Sequence, residues 1–496
     1  MKRTSITLSC TLALLLLAAS CSDGTETTGT GTADNTGDNV ETVDIANLSD
    51  MEKRALMTDN LPEKDYGGMQ FRISTKEGTM YEIDEEEETG DICDDALFAR
   101  NRTIEERFNI EIVPIITNAN DGDTHVNAVR QSIMAGDDAF ELAATYVFKT
   151  GPLVTEGYYL NWLNMPYTDL SQPWWIDGIN DNFRVGDAIY TVVGDMCVST
   201  LKLTYGVFYN RTIGSNYDLT GEIFDAVHNG SWTIDYFLEL IADLYSDVNG
   251  NGTQDEGDFY GLTAEPYTNL DVYTFAFDIP IIGRDDSGTP QFVFNNEKTI
   301  AAVEKINKLY WDGTHSYIPN DAGLPVTMFI SGQSLFTTTY LGQAFGAMRD
   351  MKDEYSILPY PKWDEHQESY LTGAMDNYSV LGIPVTVSDT EMVSLITEAL
   401  NIESYKTLFP TYYEQALQDK YARDDESIEM IDILMAGRNF DFCTLFSSTI
   451  PTMPWLFRQL VAGKSTDFAS KYSGGEKAAL KALDDILTAY EKNADN

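Results

Sequence analysis

Beyond residue 65 the chain switches repeatedly between two hydrophobic periods. After the Gly67-Gly68 turn, Met69, Phe71 and Ile73 stand at every second position, which predicts a strand with one face inward. Asp94 or Asp95 then caps a predicted helix that turns Leu97, Ile104 and Phe108 to one side. Ile110, Ile112 and the run Val113-Pro114-Ile115 return to the extended pattern. Strand, helix and strand at this spacing predict a parallel sheet and an α/β class. Two further extended runs, 189–193 and 205–209, open a second block, and a helix follows from an N-cap at Thr233 to about Tyr245. Late in the chain, 380–384 reads as a strand. Ser388 and Glu391 form a capping-box pattern ahead of a helix presenting Met392, Val393, Leu395, Ile396 and Leu400. The final helix presents Leu480, Leu483, Ile486, Leu487 and Tyr490. No repeat of fixed period is visible.

The start of the chain follows a different pattern. Met1-Lys2-Arg3 is a short cationic opening, 12–17 a brief apolar core, and Ala18-Ala19-Ser20 a small-residue exit ahead of Cys21. This is the order of a secretory signal (1–20), too short to span a bilayer as a finished helix. The segment resembles the lipobox of bacterial lipoproteins, in which cleavage before Cys21 leaves a thiol that carries lipid. Ala18 stands where that family usually has Leu. An ordinary secreted protein with an incidental cysteine is the alternative. Residues 22–47 are Thr, Gly, Asp, Asn and Glu with almost nothing apolar to bury, so a lipidated, disordered tether is expected over 21–64. No later stretch reaches about 18 uninterrupted apolar residues, so the membrane is reached through the lipid alone.

Charge narrows the partners. With 79 acids against 32 bases the net charge is −47. A field of that sign repels phosphate backbones and anionic lipid, which excludes nucleic acid and leaves neutral or cationic ligands and calcium. The acidic run 84–88 is expected as a solvated loop. Beyond Cys21, Cys93, Cys197 and Cys443 allow one disulfide at most, or three buried thiols. The four histidines are scattered, with no zinc spacing. Ala462-Gly463-Lys464-Ser465 has the tail of a phosphate loop, but Arg458 stands where its first glycine is required. There is no Gly-x-Ser-x-Gly and no His-Glu-x-x-His. With 79 acids, neighbouring carboxylates in sequence say nothing about a glycosidase pair. No catalytic residue is assigned.

One loop carries a metal pattern. From Asp247, oxygen-bearing Asp247, Asn249, Asn251, Asp255 and Asp258 fall at positions 1, 3, 5, 9 and 12, with Gly252 at 6 and Thr253 positioned to give its carbonyl. A hard cation takes six to eight oxygens, alternate residues point them inward, and glycine permits the sharp turn. A structural Ca2+ is expected here. Asp258 replaces the usual Glu, whose longer arm reaches bidentately, and Phe259-Tyr260-Gly261-Leu262 reads as strand rather than helix.

Several phrases, in order, resemble the carbohydrate-type extracellular solute-binding proteins of bacterial ABC importers, the group that includes maltodextrin-binding proteins. They are Gly206-Val207-Phe208-Tyr209-Asn210, Gly230-Ser231-Trp232-Thr233, Gly261-Leu262-Thr263-Ala264-Glu265-Pro266-Tyr267, Phe329-Ile330-Ser331-Gly332 leading to Tyr340, and Leu358-Pro359-Tyr360-Pro361-Lys362. The resemblance covers nearly everything after residue 64. It implies a two-lobed α/β fold of the periplasmic-binding-protein kind (class II), with an interlobe ligand cleft. Lobe one is placed at 65–188 plus 376–428, and lobe two at 189–375 plus 429–496. It implies a monomer on the extracellular face of the membrane that takes a sugar, closes on it and passes it to ABC permease subunits. Glu265, Tyr267, Tyr340 and Trp455 are carried over as ligand contacts. From position alone Tyr146, Trp175, Asp195, Tyr205 and Asp376 join them, because sugar sites pair flat aromatics with acceptor groups. A peptide ligand, a tethered carbohydrate-active enzyme and a non-transport surface protein remain the other readings.

Overall fold

The structure is a computed structural model that describes residues 50–118, 121–217, 219–413 and 425–494. The expected signal peptide, Cys21 and the tether up to residue 49 lie outside the described residues. Among those described, no helix is long and apolar enough to cross a membrane.

Twelve strands form among the described residues. β1 (Met69–Lys76), β2 (Ile110–Thr117) and β3 (Leu142–Tyr146) come first. β4 (Tyr205–Asn210), β5 (Tyr245–Ser246), β6 (Phe259–Thr263), β7 (Ile282–Arg284), β8 (Pro290–Phe292), β9 (Ser316–Tyr317), β10 (Ser334–Tyr340) and β11 (Tyr355–Leu358) follow, and β12 (Ser379–Gly382) closes the series. They build two principal sheets. The first has the order β12-β3-β1-β2, and the second β11-β4-β10-β6-β5 with β9 beside β6. β1 runs parallel to β2 from Met69 opposite Ile110 to Lys76 opposite Thr117, as the strand–helix–strand reading expects. Phe71 and Ile73 of β1 are fully buried, while Met69 at its open end is 51% exposed.

The cap of helix Ile92–Phe108, between β1 and β2, is neither Asp94 nor Asp95. Asp91 accepts the Cys93 N–H, and the other two lie in the first turn, where they favour the helix dipole. Thr233 caps as expected, but its helix ends at Ile241, and Tyr245 belongs to a strand. Ahead of helix Thr390–Glu403 the cap is Asp389, which accepts the Met392 N–H, while the Ser388 hydroxyl donates to Asp138. In the last helix, Phe468–Lys492, Leu483, Ile486 and Tyr490 are buried, whereas Leu480 is exposed and Ala479 takes the inner position.

The two sheets are joined by three neighbouring passes of chain. The Tyr205 N–H donates to the Gly373 carbonyl at 3.0 Å and the Met375 N–H to Leu203 at 2.9 Å. The Thr372 N–H donates to Gly437 at 2.9 Å and the Asn439 N–H to Thr372 at 2.7 Å. A thin, backbone-paired crossing of this kind is where a hinge sits.

Four boundaries differ from the sequence reading. Residues 50–64 are not tether. They include a helix, Asp50–Ala55, and dock on the first sheet's helices through Asp59, which takes both Arg107 Nη atoms at 2.6 and 2.8 Å, and through Lys64, 2.7 Å from Glu391. The run 189–193 is not a strand of the second block. It pairs at Val192 with Leu381 of β12, and its apolar character reflects burial beside the first sheet. Just after it, a Cβ on Gly194 would stand 2.1 Å from the Asn401 amide oxygen, so only glycine fits. Helix Asp425–Ala436 packs on β11 from its first turn, with Ser427 hydrogen-bonded to Ser356 at 2.9 Å. The last helix ends against the first half, where the Tyr490 hydroxyl donates to the Phe183 carbonyl. All three described cysteines are buried, and no disulfide joins them.

Candidate functional site

The site grows from strand ends. On the second sheet Tyr205, first residue of β4, lies opposite Tyr340, last residue of β10, and their rings meet edge-on at 6.1 Å. Two residues beyond β6, Glu265 accepts from the Tyr205 hydroxyl at 3.4 Å and the Thr268 hydroxyl at 3.0 Å. Burial raises the Glu265 carboxyl, and these hydrogen bonds oppose the rise. The Tyr205 phenol is pushed well up by burial, then by Glu265 and, more weakly, Asp376 and Tyr340. Tyr205, Tyr340 and Glu265 are thus in direct contact around the Tyr205 ring and hydroxyl.

From the first sheet Tyr146 closes β3, stacked on Phe148 at 6.1 Å, with the Lys76 ammonium 3.7 Å from its ring centroid. Lys76 is fully buried, and burial brings its ammonium down to about 8. Tyr81 stands between the halves: after burial and Glu82, its phenol is raised by Tyr412, Tyr146 and Tyr340.

Trp455 arrives on a turn, Met453–Trp455, that follows Thr452 at φ +69°. Positive φ in a β-branched residue stores strain, a feature that clusters at functional sites. Three residues on, and so on the same helical side, the Arg458 guanidinium lies 4.5 Å from the Trp455 ring centroid. Its Nη2 is bonded to Asp271 and lies 3.6 Å from Asp376 Oδ2, while its buried Nε has no hydrogen-bond partner among the described residues. Burial raises Asp376 to about 6 and lowers Arg458 to about 10. Thr268, Asp271, Phe275, Asp376, Trp455 and Phe457 line a narrow cavity of about 40 Å³.

Of the nine sequence candidates, Asp376 and Trp455 line this cavity, Tyr205, Glu265 and Tyr340 form a contact cluster that shares Thr268 with it, and Tyr146 stands on the first sheet beside Lys76. The other three are placed differently. Tyr267 sits on the rim, 39% exposed, and donates its hydroxyl to the Asn320 carbonyl at 2.6 Å. Trp175 is a packing residue, 2% exposed, whose indole N–H donates to Glu398. Asp195 is buried, its N–H donates to the Trp174 carbonyl at 2.9 Å, and burial raises its carboxyl to about 7, with Arg438 and Arg54 opposing the rise. Arg458, Asp271, Thr268 and Tyr81 were not anticipated. Only the i, i+3 spacing of Trp455 and Arg458 offered a signal.

In the loop 247–258 Asp247 accepts the N–H groups of Gly250 and Gly252, which bends the chain as a cation loop requires. The amide nitrogens of Asn249 and Asn251 both donate to Asp255, at 2.8 and 2.5 Å, and Asp258 accepts from the Tyr245 hydroxyl and the Val248 N–H. Asn251 Oδ1 is taken by the N–H and hydroxyl of Thr253. The donor types suit calcium, and Asp255 is where its charge would replace the two amides. Among the described residues no group of three or more His, Cys, Asp or Glu is gathered for a metal.

Neither a family model nor a curated protein sequence matches the chain. Solved structures do. Maltose-bound MalE3 of T. maritima superposes over 86% of this chain and 100% of its own, with TM-score 0.50 and 11% identity. The galacto-N-biose/lacto-N-biose I-binding protein of the ABC transporter from Bifidobacterium longum, in complex with lacto-N-biose, superposes over 85% of this chain and 99% of its own, with TM-score 0.57 and 10% identity. At such identity the likeness speaks for the fold, and the chain has the two-lobed α/β fold of these solute-binding proteins.

Proposed function

We propose that this protein captures a carbohydrate between its two lobes, without turnover, and hands it to an ABC permease. The observation that carries the reading is the grouping of Tyr205, Tyr340 and Glu265, through Thr268, with Asp376 and Trp455 beside a three-pass crossing. A sugar ring has apolar C–H faces and a hydroxyl rim, which flat rings and carboxylates complement. Micromolar affinity requires about −8 kcal/mol, within reach of a few stacked rings and several hydrogen bonds. The maltose and lacto-N-biose bound by the two proteins similar in fold agree with this reading. The cavity of about 40 Å³ beside Trp455 has room for two or three waters and not for a sugar ring, so the lobes separate before capture. Closure on the ligand is then a population shift driven by contacts present only in the closed form.

The protein works as a monomer outside the cell, held to the membrane by lipid on Cys21. Calcium in the loop 247–258 serves as a staple for the second lobe, supported by the order of its oxygen residues. A thermal-shift screen over oligosaccharides, followed by scattering with the best ligand, tests the central reading. A rise in melting temperature with a more compact profile is expected. Identical melting and scattering across the whole panel would count against sugar capture.

A further inference from the structure

A second, wider cavity of about 420 Å³ lies beside the tyrosines of the cleft. Tyr81 and Cys93 wall it from the first half, Phe345 and Arg349 from the turn after β10, and Lys202 from the crossing. The Lys202 backbone carbonyl approaches the turn at Gly342 so closely that a Cβ there would stand 3.0 Å from it and 3.0 Å from the Tyr340 ring. The cavity therefore continues the aromatic row, and its size falls in the range of small-molecule sites, about 300–1,000 Å³.

Four charged residues line it, and three are engaged. Asp91 accepts the Cys93 N–H and faces Arg349 at 3.6 Å, and Asp94 accepts the Thr89 hydroxyl at 2.9 Å. Glu82, behind the wall, is taken by the Ser199 N–H and the Ser379 hydroxyl. The Lys202 ammonium has no hydrogen bond or ion pair among the described residues. It rests on rings, 3.7 Å from the Tyr81 centroid and 5.5 Å from that of Tyr412. Burial lowers its pKa, with Cys93 and the nearby carboxylates opposing. Ring faces compensate a desolvated cation only in part, and a buried charge without a counter-charge is unfavourable. With Arg349 facing Asp91, Lys202 is the lining cation that has no carboxylate within ion-pair distance among the described residues, and it suits a monoanion better than a phosphate dianion, which Asp91 and Asp94 would repel more strongly.

We propose that the captured saccharide carries a carboxylate, a uronic acid unit, and that Lys202 receives it in this cavity with Arg349 alongside. The inference rests on the sugar-binding reading. Calorimetry with the full chain tests it, using uronate oligosaccharides of the gluco, galacto and manno series, each beside its carboxyl-reduced neutral counterpart. At least one uronate should bind about tenfold or more tightly than its counterpart, as a charge-assisted hydrogen bond would give. Lys202→Met should erase that margin and Lys202→Arg should keep it. Should Lys202→Met not fold, the wild-type ratio decides alone. A neutral counterpart that binds as well as its uronate, or a margin that survives Lys202→Met, overturns the inference while sugar capture stands. If neither member of any pair binds, sugar capture itself fails and this inference falls with it.

Discussion

Tryptophan and carboxylate come together at Glu398 and again around Trp455, and the two places behave oppositely. At Glu398 both carboxylate oxygens are taken, by the indole N–H groups of Trp174 at 2.7 Å and Trp175 at 3.0 Å, and all three side chains are nearly sealed from water. Around Trp455 the same residue types leave capacity over: the ring is half-buried and the Arg458 Nε has no partner among the described residues. Aromatic and acidic composition therefore does not mark a sugar site. What sets the second place apart is hydrogen-bonding capacity left unsatisfied beside a cavity.

The contrast can be broken most forcefully at Glu398. Glu398→Ala strands two buried donors, each unfavourable by about 1–3 kcal/mol, so denaturant unfolding should show a loss of about 2–6 kcal/mol with ligand affinity unchanged. A matching loss of affinity would merge the two places into one.

Titration is a gentler form of the same test. Burial raises Glu398 from 4.5 to about 7, and Asp376 in the cleft from 3.8 to about 6. A carboxyl whose folded pKa exceeds its unfolded one binds its proton more tightly in the fold, so stability falls as pH rises between those values. Melting temperature should decline from about pH 4.5 to pH 7. Glu398→Gln should flatten the upper part of that slope.

At the open place the order reverses. Trp455→Ala should lower sugar affinity about 10- to 100-fold in calorimetry, with a smaller stability change than Glu398→Ala gives. Unaltered affinity would remove Trp455 from the site.

The loop 247–258 offers a third, weaker case, in which two amides occupy Asp255. Calcium at ten times its dissociation constant should stabilise the fold by about 1.4 kcal/mol. An unchanged melting temperature between chelator and millimolar calcium would leave the loop a simple turn.

Much of the fold was legible because period and burial coincide. β1, β2 and β4 lie where the apolar positions predict. The run 189–193 misled because an apolar stretch buried beside β12 looks like a strand without pairing as one. Capping was ambiguous where acids crowd: Asp91, Asp94 and Asp95 are equivalent in sequence, and only the Cys93 N–H selects the first. At the site, strand-end tyrosines were within reach of sequence reasoning, whereas Trp175 was not separable from Trp455 by residue type. Arg458 and Lys202 acquire meaning only from partners distant in the chain, Asp271 and Asp376 for one, Tyr81 and Phe345 for the other.

The clasp formed by Asp59 on Arg107 and Lys64 on Glu391 ties the start of the described chain to one half of the molecule. Any pull along the leading end of the chain enters the body through the two helices of the first sheet. Neither pair reaches the half that bears Glu265 and Tyr340, which is joined to the first half through the three-pass crossing.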